Sequence, residues 1–371
     1  MRSRELFCIA LLFIVAAAGA SAAEWCPGPP LNAPHSRIGA CVAPCGDIYA
    51  VGGLGRSSDD FLNTVEILEF DSVTGYAVAW LEVAPMITAR YAHAVACVNG
   101  FIYAIGGIGD SGVLASVERY DTTAEAPTWD AASVPDLNVA RYYAGSTLDK
   151  WGRIWVVGGD DGTATSLSSV EIYDPARPDL GWSPGPELNV ARELAGVVTD
   201  RIGRIYAIGG STFPDHITSV ERFDPCNPEE GWVVLVEDIP GRASQQDYSV
   251  LGADGRIYVA GGWLPGYTNR VVRFDPNTDT WEDWMALPED RGVLGLTLGK
   301  HGRIYVIGGE LDGFQATESV VVLTPPYGAD LVRPLLMDSN ADGWMDAYDL
   351  AALLAAWCSV AGGNSCGTCF P

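Results

Sequence analysis

The chain has 371 residues, of which 48% are hydrophobic, so it is long enough to bury a large core. It carries 47 acidic and 22 basic residues, for a formal net charge of −25, and only Lys150 and Lys300 are lysines. Such a charge repels phosphate backbones, which argues against nucleic acid as a partner.

The first 22 residues predict a secretory signal peptide. Arg2 and Arg4 form a basic start, residues 6–19 are apolar, and residues 20–22 have small side chains suited to cleavage. The apolar run is short for a membrane span, and no later stretch is long and apolar enough, so we expect no transmembrane segment after cleavage. We therefore expect an exported protein that is secreted, periplasmic or held at the cell surface.

Cysteine usage agrees with export. Cys8 lies in the signal peptide, and the even number of remaining cysteines predicts disulfides in an oxidising compartment. Eight cysteines allow many connectivities, so the sequence leaves the pairing open. These residues are Cys26, Cys41, Cys45, Cys97, Cys226, Cys358, Cys366 and Cys369.

Six short apolar runs that end in two glycines recur along the chain. Successive second glycines are 54, 52, 51, 52 and 47 residues apart, which predicts one supersecondary unit copied six times. The runs are Ile48–Gly53, Ile102–Gly107, Ile154–Gly159, Ile205–Gly210, Ile257–Gly262 and Ile304–Gly309.

The fourth copy shows what each unit contains. Its pattern predicts four short strands, at Leu194–Thr199, Ile205–Gly210, Ser219–Asp224 and Trp232–Val236, which make one small antiparallel sheet. One such sheet cannot cover both of its faces, whereas six arranged around an axis can. The paired glycines fit close backbone approach near that axis.

The units resemble the kelch repeats of β-propellers. Each double glycine is followed in most copies by an aromatic residue and Asp, and then by Trp. This resemblance implies an all-β, six-bladed propeller of four-stranded antiparallel blades over residues 23–327, with these aromatics packed between the blades. The motif residues are Phe70-Asp71, Tyr120-Asp121, Tyr173-Asp174, Phe223-Asp224 and Phe274-Asp275, with Trp80, Trp129, Trp182, Trp232 and Trp281.

The sixth copy has no fourth strand with a Trp before residue 327. The missing piece is predicted at the start of the mature chain, because the eight residues from Trp25 match the eight from Trp182 at six positions. We expect Trp25–Leu31 to supply the outer strand of the last blade and so to close the ring. Prolines are tolerated there because the strand lies at a sheet edge.

The resemblance implies that ligands meet the face carrying the loops that enter the innermost strands. Those loops contain a recurring arginine, and converging guanidinium groups favour carboxylates. The alternative is that each arginine pairs with a glutamate of a neighbouring blade, such as Glu66, Glu118, Glu171 or Glu221. The candidate ligand-binding residues in these loops are Arg37, Arg90, Tyr91, Arg141, Tyr142, Arg192, Arg242 and Arg291.

A second candidate contact is the loop after the fifth double glycine, where Trp263 and Tyr267 could stack on sugar rings or partner side chains. We interpret the propeller as a recognition module for an extracellular protein, peptide or glycan. The alternative is a carbohydrate-active enzyme, similar to kelch-like sialic acid epimerases or oxidases, with its pocket at the axis. A carboxylate within reach of two arginines at the central mouth would favour the enzyme.

The repeats stop at residue 327, and after a linker of residues 328–336 the chain changes character. Oxygen-bearing residues follow the spacing of a calcium loop, with a glycine at the sharp turn and a helix predicted beyond it. Residues 337–371 therefore resemble one dockerin repeat, which implies a calcium-binding, partly α-helical module that anchors the propeller to a surface or assembly. A full dockerin has two loops, so cohesin binding stays open. The ligands are Asp338, Asn340, Asp342, Trp344 through its carbonyl, Asp346 and Asp349.

Overall fold

The structure is a computed structural model that describes residues 23–324, apart from 72–74, 164, 213–214, 237, 241–247 and 264–265. The signal peptide, the linker, the calcium module and Arg242 therefore lie outside the described residues. No helix of this described part is long and apolar enough to cross a membrane.

Six four-stranded antiparallel sheets form the described chain, which confirms the all-β propeller. Strand β1 (Glu24–Pro27) precedes blade 1, and each blade runs from its innermost strand outward. Blade 1 contains β2 (Gly39–Val42), β3 (Ile48–Leu54), β4 (Phe61–Phe70) and β5 (Ala77–Val83). Blade 2 contains β6 (Ala94–Val98), β7 (Phe101–Ile105), β10 (Val117–Asp121) and β11 (Trp129–Asp130), with the small hairpin β8 (Ile108–Gly109) and β9 (Gly112–Val113) inserted.

The next two blades repeat this order. Blade 3 contains β12 (Gly145–Leu148), β13 (Ile154–Val157), β14 (Val170–Tyr173) and β15 (Trp182–Pro184). Blade 4 contains β16 (Gly196–Thr199), β17 (Ile205–Ile208), β20 (Val220–Phe223) and β21 (Trp232–Val234), with the hairpin β18 (Ser211–Thr212) and β19 (Asp215–His216). The four strands predicted in this copy are confirmed, each slightly shorter than expected.

The last two blades complete the ring. Blade 5 contains β22 (Tyr248–Leu251), β23 (Ile257–Ala260), β24 (Val271–Asp275) and β25 (Thr280–Asp283). Blade 6 contains β26 (Gly295–Leu298), β27 (Ile304–Ile307), β30 (Val320–Thr324) and β1, with the hairpin β28 (Glu310–Leu311) and β29 (Gln315–Ala316). Short 3₁₀ turns occur at Pro178–Leu180, Pro228–Glu230 and Lys300–Gly302.

The innermost strands contact one another in the closed order β2, β6, β12, β16, β22, β26 and back to β2. Since the chain enters each innermost strand from the same end, the propeller has two distinct faces. We call the face with the entry loops and the small hairpins the entry face. The opposite face carries the turns between the first and second strands of each blade.

The N-terminal strand closes the ring as predicted. Trp25 lies opposite Leu323 in the antiparallel pairing of β1 with β30. Its indole Nε1 donates to the carbonyl of Met285 in blade 5, at 3.0 Å. Trp182 and Trp232 make the equivalent bond to the carbonyls of Pro135 and Pro186, each in the segment that follows the outermost strand of the preceding blade. Trp25 therefore takes the place of the sixth blade tryptophan.

The core lies between blades. One buried cluster combines residues of blades 2 and 3, and in it Tyr173 and Trp182 stack with ring centroids 5.2 Å apart. A similar cluster joins blade 1 to Tyr120 and Trp129 of blade 2. The aromatic motif residues therefore cover the faces that a single sheet would leave exposed.

The double glycines allow these sheets to approach the axis. Gly106 and Gly107 have φ values of 62° and 96°, in the left-handed region that favours glycine. A Cβ at Gly106 would lie 2.5 Å from the carbonyl oxygen of Arg141, and one at Gly107 would lie 2.7 Å from that of Tyr91. Both positions thus need a residue without a side chain.

A disulfide between Cys41 and Cys97 joins the innermost strands of blades 1 and 2. This confirms that the chain forms a disulfide. Cys26, Cys45 and Cys226 have no disulfide partner among the described residues.

Candidate functional site

Four of the predicted rim arginines lie inside the blades and not at the surface. Arg90, Arg141, Arg192 and Arg291 are each at most 1% exposed. In blade 3, Arg141 Nη2 lies 2.9 Å from Glu171 Oε1, and its Nη1 donates to the carbonyl of Gly158 at 2.9 Å. These guanidinium groups hold the entry loop to the double-glycine turn. The four side chains therefore have no exposed surface with which to contact a ligand.

The partner glutamates are equally engaged. Glu171 also accepts hydrogen bonds from the backbone amides of Asn138 and Val139, at 2.8 and 3.1 Å. The equivalent ion pairs are Arg90–Glu118 at 2.7 Å and Arg192–Glu221 at 2.6 Å. Arginine–glutamate pairing was the alternative in the sequence, although each pair joins residues of one repeat and not of neighbouring blades.

Arg37 is not equivalent to the other arginines. Its repeat places His35 at the arginine position, where Nδ1 lies 2.9 Å from the carbonyl oxygen of Gly52 and Nε2 lies 3.4 Å from Glu66 Oε1. Arg37 follows two residues later. It is partly exposed at the mouth, by which we mean the opening of the propeller axis on the entry face. There its Nη2 lies 3.2 Å from Glu310 Oε1.

A ring of backbone hydrogen bonds surrounds the axis at the entry face. One residue in each described entry loop has positive φ, and in four of these loops its amide donates to the carbonyl of the equivalent residue in the preceding blade. The distances are 2.8 Å from Arg37 to Val293, 3.0 Å from Ala92 to Arg37, 2.8 Å from Tyr143 to Ala92 and 2.9 Å from Leu194 to Tyr143. We call Arg37, Ala92, Tyr143, Leu194 and Val293 the mouth ring.

The residue before each mouth-ring residue bridges to the residue after the second glycine of its blade. These positions differ from blade to blade, whereas the arginine, glutamate and glycine positions repeat. The residues whose size, charge and hydrogen-bonding groups differ between blades are therefore found at the mouth. The bridged pairs are Ser36–Leu54, Tyr91–Ile108, Tyr142–Asp160, Glu193–Ser211 and Gly292–Glu310.

One side of the mouth contains hydroxyl groups around an ion pair. Glu310 binds Arg37 and also accepts a hydrogen bond from the Tyr267 hydroxyl. Burial raises the pKa of Tyr143 and of Tyr248 above the ordinary tyrosine value. Burial, followed by the bond to Glu310, raises the pKa of Tyr267 as well. These phenols are therefore neutral hydrogen-bond donors.

The other side of the mouth is acidic. Burial raises the pKa of Glu193 to about 7, and the nearby charge of Asp160 adds to that shift. Burial and then Asp160 raise the pKa of Tyr142 to about 12. Below the ring, a cavity of about 160 Å³ is lined by Arg37, Tyr143, Tyr248 and the first residues of the innermost strands.

An aromatic platform adjoins the mouth on blades 5 and 6. Trp263 stacks on Phe314 with ring centroids 5.5 Å apart, and Tyr267 meets Phe314 edge-on at 5.9 Å. Phe314 is 65% exposed and has a φ of 59°, which is unfavourable for a side chain with a large ring. Phe314 therefore presents its ring to solvent beside the mouth and is a candidate contact.

The structure thus brings Arg37, Tyr91, Tyr142 and Trp263 to the entry face, places Tyr267 buried beneath it against Phe314 and Glu310, and buries the other four described candidates inside the blades. Sequence reasoning missed Asp160, Glu193 and Glu310, which appear when the repeats are aligned by their bridges. It also did not propose Tyr143, Tyr248 or Phe314, which lie near the mouth but outside these bridges. Among the described residues, Glu310 contacts one arginine, so the two-arginine arrangement expected of the enzyme alternative is not seen there.

Comparison with known proteins supports the repeat assignment. The family model described as Kelch motif matches residues 89–129, 152–189, 203–229 and 247–283. Kelch-like protein 26 of Danio rerio is 28% identical over 265 residues, which are 70% of this chain and 42% of that protein. Kelch-like protein 35 of Mus musculus is 25% identical over 315 residues, covering 84% of this chain and 42% of that protein.

The chain spans about two fifths of the length of these curated relatives. Among solved structures, that of YjhT aligns with a TM-score of 0.66 and 16% identity, covering 80% of this chain and 97% of that one. At this identity the likeness concerns the fold.

Proposed function

We propose that this six-bladed propeller with kelch motifs is a recognition module that binds a protein partner at its entry face. The observation that carries the proposal is that some positions of the repeats are constant between blades and others vary. The buried arginines, glutamates and tryptophans are the same in several blades, whereas the bridged positions at the mouth vary in size, charge and hydrogen-bonding capacity. Variation on a rigid repeated frame suits recognition.

The aromatic platform supports a binding role. Trp263 and Phe314 offer ring faces beside the Arg37–Glu310 pair, and the buried Tyr267 contacts Phe314 edge-on while its hydroxyl binds Glu310. Aromatic and arginine side chains are the groups that most often dominate binding energy in protein interfaces. A sugar could stack on the same rings, so glycans belong in the test.

The experiment screens the mature chain, residues 23–371, on peptide and glycan arrays. A Trp263→Ala, Phe314→Ala double variant removes the platform, and Trp151→Ala is the matched control, because Trp151 is 55% exposed in a turn of the opposite face. We expect peptide binding that falls at least tenfold in the double variant and persists in the control. Binding to glycans alone would refute a protein partner, and equal loss in the control would refute the assigned face.

We further propose that the protein acts outside the cytoplasm. Residues 1–22 have the pattern of a signal peptide, and the Cys41–Cys97 disulfide suits an oxidising compartment. N-terminal sequencing of the exported protein tests this proposal. A protein that starts near Ala23 supports export, and one that retains residues 1–22 inside the cell refutes it.

Residues 337–371 are proposed to bind calcium and to anchor the propeller. The support is the spacing of Asp338, Asn340, Asp342, Asp346 and Asp349, which follows a calcium loop with Gly343 at its turn. Calorimetry on the mature chain should detect calcium binding that an Asp338→Ala, Asp349→Ala variant loses. Absence of binding heat at millimolar calcium would refute this proposal and leave the propeller proposal untouched.

A further inference from the structure

We propose that the mouth of the propeller receives a lysine or arginine side chain of the protein partner, gripped by Glu193 and Asp160. This inference rests on the proposed protein recognition and specifies the chemistry of the residue recognised. It follows from four observations: the charge balance of the mouth, an unpaired buried carboxyl group, the lining of the cavity, and a guanidinium already held there.

The described mouth carries more acidic than basic groups. Arg37 is neutralised by Glu310 at 3.2 Å, which leaves Asp160 and Glu193 without a cation among the described residues. The whole chain has a net charge of −25, which attracts cationic partners over distance. An acidic partner residue would therefore meet repulsion on this side of the mouth.

Glu193 is a mostly buried residue whose carboxyl group has no partner among the described residues. It is 8% exposed, and its side chain forms no hydrogen bond or ion pair with another described residue. Asp160 is 5% exposed and accepts hydrogen bonds from the Tyr142 hydroxyl and from the amide of Gly162, the latter at 2.6 Å, but it has no cation beside it among the described residues. Buried carboxylates are normally paired, because desolvation is costly. A cation from a bound protein would supply the missing partner.

The cavity below the mouth ring is lined by Leu194, the residue after Glu193, but by neither carboxyl residue, so it adjoins the acidic side of the mouth. Its lining includes aliphatic residues such as Ala92, Ala144 and Leu194, which suit the methylene stem of lysine or arginine. Burial, and then the charge of Arg90, lower the pKa of His93 to about 3. The neutral imidazole of His93 therefore adds no positive charge to this cavity.

The mouth already binds one guanidinium group, that of Arg37, beside an aromatic ring and a carboxylate. The Arg37 Cζ lies 5.8 Å from the centroid of the Tyr91 ring while its Nη2 binds Glu310. Tyr142 offers a second ring next to Asp160 and Glu193, since the charges of both carboxyl groups act on its hydroxyl. A ring face beside a carboxylate favours a cation at both places.

The test uses arrays of hexapeptides that are randomised except at one central residue, which is lysine, arginine, norleucine or glutamate. Norleucine has the length of lysine without its charge. The mature chain is compared with Glu193→Gln, with Asp160→Asn, and with Glu229→Gln, which removes an equal charge from an exposed turn of the opposite face. Thermal unfolding of each variant verifies that it is folded.

We expect lysine and arginine arrays to bind at least tenfold more strongly than norleucine arrays at pH 8. That preference should fall at least fivefold in Glu193→Gln and persist in Glu229→Gln. It should also weaken between pH 8 and pH 6 as Glu193 takes up a proton, with Asp160, Tyr142 and Tyr143 as the other groups facing it. Peptide binding without a basic preference, or a preference that survives in Glu193→Gln, would overturn this inference alone. No peptide binding at all would overturn the proposed function with it.

Discussion

His35 Nδ1 lies 2.9 Å from the carbonyl oxygen of Gly52, the contact that an arginine makes in four other blades. A shorter side chain thus fills the arginine position of blade 1, and Arg37 is left to serve the mouth. His35 therefore stands where four other blades have their buried arginine, and Arg37, two residues later, lies at the mouth.

The buried arginines inside the blades, such as Arg141, should be more important for stability than Arg37. We expect Arg141→Met to lower the free energy of unfolding by about 3–5 kcal/mol, because Glu171 would stay buried without its cation. Arg37→Met should cost less, about 1–3 kcal/mol, since Arg37 is partly exposed and the buried Glu310 keeps the hydrogen bond from the Tyr267 hydroxyl. Urea unfolding measures both, and equal losses would contradict this division.

The difference between these arginines marks the limit of sequence reasoning. The repeat period, the four strands of each blade and the strand supplied by Trp25 all followed from local patterns, because glycine, tryptophan and strand periodicity have direct structural causes. The register of the entry loops did not, because Arg37 and Arg90 look alike in sequence. Only the bridge of Ser36 to Leu54 and of Tyr91 to Ile108 shows which residues are equivalent.

The same limit applies to the acidic side of the mouth. Asp160 and Glu193 belong to different repeats and are 33 residues apart, and no sequence motif relates the two positions. They approach because blades 3 and 4 are neighbours in a closed ring, a relationship that depends on tertiary structure. Phe314 escaped notice for a different reason, since it lies in a hairpin tip that has no counterpart of the same size in every blade.

The N-terminal strand should be essential to the closed ring. A chain that begins at His35 loses the pairing of β1 with β30, the Trp25–Met285 bond and the buried Leu31. We expect its free energy of unfolding to fall by at least about 4 kcal/mol, from lost apolar burial and an uncovered strand edge. A chain that begins at Ala23 is the control. Equal thermal stability of the two chains would contradict closure by this strand.

The disulfide should stabilise the junction of blades 1 and 2. Cys41 and Cys97 are 56 residues apart, so loop-closure entropy predicts about 4 kcal/mol of stabilisation. A Cys41→Ala, Cys97→Ala variant should therefore unfold at lower denaturant concentration, and reducing agent should shift the parent but not the variant. Cys226→Ala, which leaves this bond intact, should behave like the parent. A parent protein insensitive to reduction would show that the bond contributes little.

Glu193 should give the protein a stability that depends on pH in a predictable direction. Its pKa in the folded protein is raised to about 7, so the folded state holds this proton more tightly than the unfolded chain does. Its contribution to stability is therefore lost as pH rises from the ordinary glutamate range through about 7. We expect Glu193→Gln to be more stable than the parent at pH 8, with a smaller difference at pH 5. Urea unfolding at both pH values, with Glu229→Gln as control, measures the effect. A Gln variant less stable than the parent at pH 8 would show that the Glu193 carboxylate has a favourable partner in the folded protein.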